Sequence, residues 1–362
     1  MSVDDNGGTH TPDAVLLDGF WYPALRSAEI RGRAMARATL LGIPLVCGRD
    51  ADGRAWALRD NCPHRGIPLS DGWFDGRQVE CCYHGWKFDP HSGVCCEIPS
   101  LVEGQKLKVE RIKAGAFAAD ERDGYVWVYV PRAGGDDEQP GPAPALPVHS
   151  DRYRITHLWA ELPCNIDHGI IGLMDPAHGP FVHQSWWWRG RTSIHAKEKV
   201  FEPIERGFRI RPHAPSANSA PYKLLGVYGK PITTTIEFEL PNIRTEQIRC
   251  GDYWFTSRAT VTPVTAARCR IDFVAAWNIF RMVPLVMPVF RSFAKKFLRQ
   301  DQLTMNKQAE GLKHAPSLML IDDADRPAKW YFALKSALIE SRRTGEPMKH
   351  PIAEPTALHW RS

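Results

Sequence analysis

Hydrophobic and polar positions change rhythm twice along this chain. The first stretch holds short strand-like runs: Ala38-Thr39-Leu40-Leu41, Pro44-Leu45-Val46-Cys47 and Ala55-Trp56-Ala57-Leu58, the last two split by the turn Arg49-Asp50-Ala51-Asp52-Gly53 as in a hairpin. An aromatic run, Phe20-Trp21-Tyr22, precedes them and stops at Pro23; Gly124 to Val130, dense in Val, Tyr and Trp, closes the stretch as a further strand. All periodicity is then lost: residues 132–149 hold Gly134, Gly135, Asp136 and Asp137 and four prolines, Pro140, Pro142, Pro144 and Pro147, which reads as a linker. Beyond it the pattern predicts a strand from Tyr153 to Leu162 and a helix from Cys164 to His178. Long strands follow over Lys197–Glu202, Phe208–Pro212, Thr233–Leu240, Trp254–Pro263 and Cys269–Trp277, then helices from Phe290 to about His314 and from Ala328 to Arg343. The expected organisation is therefore a disordered terminus over 1–17, an all-β domain over 18–131, the linker, and an α+β domain over 150–362 whose antiparallel sheet is flanked by helices.

Composition narrows this picture only a little. A chain of 362 residues can bury two cores, and 43% apolar with 24% charged residues is ordinary for a globular protein. The net charge of +5 is spread along the chain, which argues against nucleic acid as a partner. Residues 1–10 are polar and lack an apolar run, so no signal peptide is expected there. Nine cysteines in a chain of this length do not make a disulfide framework.

Four of the chemistry-bearing residues stand out. Cys62-Pro63-His64 and Cys81-Cys82-Tyr83-His84 form Cys-x-His, sixteen intervening residues, then Cys-x-x-His. Two thiolates and two imidazoles on two short loops suit a Rieske [2Fe–2S] cluster, with the cysteines on one iron and the histidines on the other. A structural zinc site uses the same donors. The flanking Gly66 and Gly85 weigh against zinc, because they let backbone N–H groups approach cluster sulfur. Cys81 rather than Cys82 has the ligand spacing, and Cys95 and Cys96 read as buried packing residues. A cluster built on reduced thiols favours the cytoplasm. Further on, Asp175-Pro176-Ala177-His178 and His183 place two histidines five apart around Pro180, able to converge on one metal; a distant carboxylate would complete a facial triad suited to Fe(II). The plain alternative is a pair of polar residues at a helix end.

With both motifs in view, the chain resembles the Rieske non-haem iron oxygenases of the type built from α subunits alone. The wording around Asp175 is similar to pheophorbide a oxygenase-like and bacterial sterol C-4 demethylating members. The resemblance implies a helix-grip catalytic domain, a cluster on Cys62, His64, Cys81 and His84, and a mononuclear Fe(II) on His178 and His183. It implies Asp301, in Phe297-Leu298-Arg299-Gln300-Asp301, as the third ligand. It also implies that Asp175 bridges His178 and the His84 of a neighbouring subunit in a head-to-tail homotrimer; read without the resemblance, Asp175 is a helix cap before Pro176. The implied partners are O2, a separate ferredoxin or flavin reductase fed by NAD(P)H, and a small-molecule substrate oxidised at a C–H bond. Many relatives carry an acidic residue and Asn just before the bridging aspartate, whereas this chain has Ile170-Ile171-Gly172-Leu173-Met174 there, so the resemblance lacks that polar pair. His168 reads as a second-layer or surface residue rather than one facing the iron.

The run from Ile279 to Phe290 is nearly all apolar, and Arg291, Lys295 and Arg299 recur four apart beyond it. Two readings fit: a helix packed on its own core with a solvated basic side, or a surface that rests on an anionic membrane. Either favours a bulky hydrophobic substrate, such as a sterol methyl group or a similar polycyclic lipid. An aromatic-ring dioxygenase, an aromatic demethylase and a plain Rieske electron carrier are the rivals, and only the carrier has no need of the second metal site.

Overall fold

The computed structural model describes residues 9–10, 15–134, 140–184, 191–215, 225–226, 228–280, 286–315 and 317–362. Two compact units divide the described chain: Leu16–Ala145 with Pro263–Thr265, and the remainder.

The first unit is built of short antiparallel strands. Its three small sheets comprise β2 (Phe20–Arg26), β11 (Ala119–Arg122) and β12 (Tyr125–Val130); β3 (Ala36–Leu40), β4 (Ile43–Arg49), β5 (Ala55–Arg59) and β10 (Ala116–Phe117); and β6 (Trp73–Phe74), β7 (Val79–Glu80), β8 (Lys87–Phe88) and β9 (Cys95–Glu97). Pro23 sits inside β2, which is possible because β2 is an edge strand and the ladder to β12 is irregular there. Val46, Trp56, Leu58, Val79 and Phe88 are buried in one cluster with Cys62 and Cys81, so the two cysteine loops grow directly out of the core. Cys95 joins that core, but Cys96 is exposed, contrary to its expected burial. Alternation along β9 accounts for this, since neighbouring side chains point to opposite faces.

The second unit is one eight-stranded antiparallel sheet covered by helices. Its order is β13 (Arg154–Leu162), β19 (Arg268–Trp277), β18 (Tyr253–Thr265), β17 (Ile243–Cys250), β16 (Ile232–Glu239), β15 (Gly207–His213), β14 (Ala196–Ile204), β21 (Thr356–Arg361). The helices are α1 (Ile166–Met174), α2 (Gly179–Val182), α3 (Val286–Leu312) and α4 (Arg326–Thr344). Aromatic contacts show that α3 and α4 lie on one face. Phe290 of α3 meets Phe255 and Trp277, while Trp330 and Tyr331 of α4 meet Phe201, Phe208 and Phe238. On α1, a Cβ at Gly169 would stand 2.7 Å from Val261 Cγ1, so the missing side chain lets this helix lie close on β18. Asn165 caps α1 by accepting from the His168 amide at 2.9 Å. No helix among the described residues is long and apolar enough to cross a membrane.

Several boundaries differ from the sequence expectation. The expected helix to His178 ends at Met174, since Pro176 disfavours helical backbone at the residue before it. Strands β17 and β21 were not expected. Helix α3 begins at Val286 rather than Phe290, with Pro288 in its first turn, where no intrahelical N–H bond is lost. Of the apolar run before it, residues 281–285 lie outside the described residues. The disorder expected over 1–17 does not extend to Thr9–His10 (β1), paired with β20 (Ser317–Leu318), nor to Leu17, which is buried; residues 1–8 and 11–14 lie outside the described residues. The described part of the expected linker is packed: Trp21 Nε1 donates to Gly141 O at 2.9 Å and Ala143 is buried, while 135–139 lie outside the described residues.

Candidate functional site

Two matching turns present the first set of ligands. Gly66 N donates to Cys62 O and Gly85 N to Cys81 O, at 2.8 and 3.0 Å, and both glycines have positive φ, at 75° and 68°. Cys62 and Cys81 are buried, and their thiols lie within hydrogen-bond reach of each other. Burial pushes the Cys62 thiol up to about 11, while the amides of His64 and Arg65, aimed at its sulfur, pull the other way. Those amides are the donors a sulfur-bridged cluster requires. His64 and His84 stand half-buried with ring centroids 4.5 Å apart, and Trp86 stacks on His64 at 4.5 Å and 4°. Sulfurs inward and imidazoles outward is the donor arrangement that a Rieske cluster demands. The loop base is fixed by Asp60, which accepts from Ser70 N at 2.7 Å and Ser70 Oγ at 2.6 Å.

The second set comes from the break between α1 and α2 and from the middle of α3. His178, His183 and Asp301 bring their ligand atoms within 4.8 Å of one another. His178 Nε2 is 3.2 Å from His183 Nε2, and Asp301 Oδ1 is 3.1 Å from His183 Nε2 and 4.0 Å from His178 Nε2. Ligands at about 2.1 Å from a common ion, in adjacent positions, stand about 3 Å apart. Two neutral imidazoles and one carboxylate form the donor set of non-haem Fe(II) sites, so these residues fit that ion.

Each imidazole is oriented through its other nitrogen. His178 Nδ1 donates to the Asp175 carbonyl at 2.8 Å, and His183 Nδ1 to Gln300 Oε1 at 3.2 Å. Both Nε2 atoms are thereby left as lone-pair donors for metal. Phe297 stacks on His183 at 4.2 Å. Gln300 and Phe297 had no role in the sequence reading. The Asp175 carboxylate turns its Oδ1 to the Ala177 amide at 2.7 Å and leaves Oδ2 3.7 Å from His178 Nδ1, with a third of the side chain exposed.

Asp167 and His168, whose roles the sequence left open, are both buried. Asp167 Oδ1 accepts from Lys335 Nζ and Tyr331 OH of α4, each at 2.5 Å, tying α1 to α4. His168 Nε2 has no hydrogen-bond partner among the described residues, and burial lowers its proton affinity. His168 is therefore no surface residue. Gln308 Oε1 is likewise buried without a partner among the described residues.

A family model, the Rieske [2Fe-2S] domain, matches residues 20–112. Chlorophyllide a oxygenase of Chlamydomonas reinhardtii is 36% identical over 178 residues, covering 48% of this chain and 26% of that protein. 4beta-methylsterol monooxygenase of Methylococcus capsulatus is 33% identical over 110 residues, covering 30% of each. The matched stretch thus spans a minority of either relative. The crystal structure of dicamba monooxygenase bound to 3,6 dichlorosalicylic acid superposes with a TM-score of 0.73, at 22% identity, over 91% of this chain and 99% of that one. That likeness is one of fold.

Proposed function

We propose that this chain, whose residues 20–112 match the Rieske [2Fe-2S] domain and whose fold is like that of dicamba monooxygenase, is a terminal mono-oxygenase component of the Rieske oxygenases that oxidises a C–H bond of a bulky hydrophobic substrate. The convergence of His178, His183 and Asp301 supports an oxygenase over a plain electron carrier, which has no use for a second site. Iron held there would supply O2 reduction and C–H oxidation, using electrons that a separate reductase delivers through the [2Fe–2S] cluster.

The chain's own residues set up that chemistry. The Asp175 carbonyl and Gln300 hold the two imidazoles in one tautomer, and Asp301 adds the single negative charge. We assign Asp175 to the link with His84 of a neighbouring copy in a head-to-tail homotrimer. Its partly exposed carboxylate, with Oδ2 no nearer than 3.7 Å to His178 Nδ1 and without a closer donor among the described residues, supports the assignment. Asp175→Asn should retain both metals and lose most turnover; unchanged turnover would refute the link. The substrate class rests on the apolar opening of α3 and on relatives named for chlorophyllide and methylsterol. Exposed Arg291, Lys295, Lys296 and Arg299 carry no ion pair among the described residues, which supports peripheral contact with an anionic membrane face.

The test is to incubate metal-loaded protein with a generic reductase, NADH and isotopically labelled O2. One arm receives a lipid extract containing methylated sterols, the other a panel of aromatic acids and ethers. Label in a sterol or similar lipid supports the reading. Label only in small aromatics replaces it with an aromatic demethylase or dioxygenase, and label in nothing while the cluster cycles leaves an electron carrier.

A further inference from the structure

The inner, helix-covered face of the sheet is apolar at both ends and polar in between. Cross-strand register identifies the residues on it. His213, Thr234, Ile248 and Phe255 are opposed in one row across β15, β16, β17 and β18, and Ile210, Ile236, Glu246 and Ser257 form the next row. Phe255 lies 5.8 Å from Phe290 of α3, the helix that carries Asp301, so these rows share the iron ligands' side of the sheet.

His213 belongs on this face only because of an irregularity. Phe208 and Ile210 point inward, so plain alternation would turn residue 213 outward. The ladder between β15 and β16 slips between Ile210 and His213, one extra residue enters β15, and His213 comes to oppose inward-facing Thr234. Pro212, which has no N–H to give to a ladder, stands in the bulge. Bulges of this kind re-aim a side chain, and here the side chain is an imidazole.

The groups around it are poised to bind. His213 Nδ1 donates to Arg211 O at 2.9 Å, leaving Nε2 as an acceptor. Burial lowers the proton affinity of His213; Lys199 pushes the same way, against the Arg211 carbonyl and Glu246, and the ring is neutral at pH 7. Thr234 is 2% exposed, and its Oγ1 has no hydrogen-bond partner among the described residues. An orphaned buried hydroxyl is costly unless something arrives to pair with it. Lys199, on the same face as Phe201, reaches Ala214 O beside His213 at 3.4 Å.

We propose that His213 and Thr234, with Lys199, form a hydroxyl-recognition site on the inner face of the catalytic sheet, reading an alcohol group on an otherwise apolar polycyclic substrate. A hydroxyl can donate to His213 Nε2 while its two lone pairs accept from Lys199 and Thr234, so it satisfies all three. A carboxylate has no proton to donate to His213 Nε2. The proposal deepens the oxygenase reading and rests on it for the apolar body of the substrate.

The test is equilibrium dialysis from mixed micelles with matched alcohol and hydrocarbon pairs: cholestanol and cholestane, phytol and phytane, naphthylmethanol and methylnaphthalene. Wild type should hold at least one alcohol about tenfold more tightly than its hydrocarbon. His213→Phe and Thr234→Val should each bring that ratio close to one while leaving hydrocarbon binding unchanged, with an unchanged far-UV circular dichroism melting curve as the check on folding of the sheet unit. A wild type that prefers no alcohol overturns the proposal, as does a preference that survives both substitutions. Oxidised product is scored separately by mass spectrometry. Lost discrimination without product supports this site and refutes the oxygenase; product without discrimination does the reverse.

Discussion

The buried pair between Asp167 and Lys335 gives the sharpest energetic test of how the catalytic unit is held. Both side chains are nearly inaccessible, at 7% and 8% exposure, and the Tyr331 hydroxyl adds a second donor to that carboxylate. Lys335→Met keeps most of the stem's packing and removes the charge, leaving a buried carboxylate with one hydroxyl. Removing one partner of such a pair costs about 3–5 kcal/mol. The double variant Asp167→Leu with Lys335→Met removes both charges and takes from the Tyr331 hydroxyl its Asp167 acceptor, at about 1–2 kcal/mol. With a urea dependence of about 3 kcal/mol per molar, the single variant should lower the midpoint by about 1–1.7 M and the double variant by about half that or less. Far-UV circular dichroism follows the sheet unit, and visible absorbance of the cluster reports on the other unit as a control. Equal midpoints for single and double variants would refute the argument, because the cost would then be lost packing and not an uncompensated charge.

Three further outcomes follow from the site geometry. Gln300→Leu removes the acceptor for His183 Nδ1 and should weaken iron binding by about 10–100-fold, read by chelator competition; unchanged affinity would mean the ring needs no such partner. Gly85→Ala forces a side chain onto a residue at φ 68°, with its Cβ 3.1 Å from Pro99 Cγ, and at a cost of about 1–2 kcal/mol it should lower cluster occupancy measured by visible absorbance. At Asp50, burial pushes the carboxyl up, but hydrogen bonds from the Arg54 amide, His91 and the Arg54 side chain outweigh it and hold the group at about 2, against an ordinary 3.8. A carboxyl lowered in the folded state contributes stability above about pH 4 that is lost as pH falls toward 2. Asp50→Asn should therefore remove that contribution at neutral pH and flatten the acid branch of the melting curve, and an unaltered branch would count against it.

The parts of the site legible in the sequence are those whose chemistry is local. Cys62 with His64, and Cys81 with His84, sit on single turns, so spacing alone displays them, and His178 and His183 flank one short helix. Gln300, Phe297 and Lys335 were silent, because each acquires its meaning from a partner that only the tertiary fold supplies. Strand β17 escaped notice for a related reason. Its inner face carries Glu246 and the Arg244 that pairs with it at 3.3 Å, so the apolar alternation that reveals a strand is interrupted where the sheet turns polar. His213 shows the same limit, since a period of two places it outside and only the bulge brings it in.

The proposed iron site depends on one relation between two helices. Phe297, Gln300 and Asp301 fall three and four residues apart, so a single face of α3 supplies the ring that stacks on His183, the acceptor that fixes its tautomer and the carboxylate beside its Nε2. A one-residue slip of α3 would remove all three together. Helix α1 carries the other half of the site, and Pro176 ends it just before His178. A Cβ at Gly172 would stand 3.2 Å from Met305 Cε, one turn beyond Asp301, so the bare glycine lets α1 meet α3 closely. The proposed iron ligands are thus aligned by helix packing, with Asp167 anchoring the opposite end of α1 to α4.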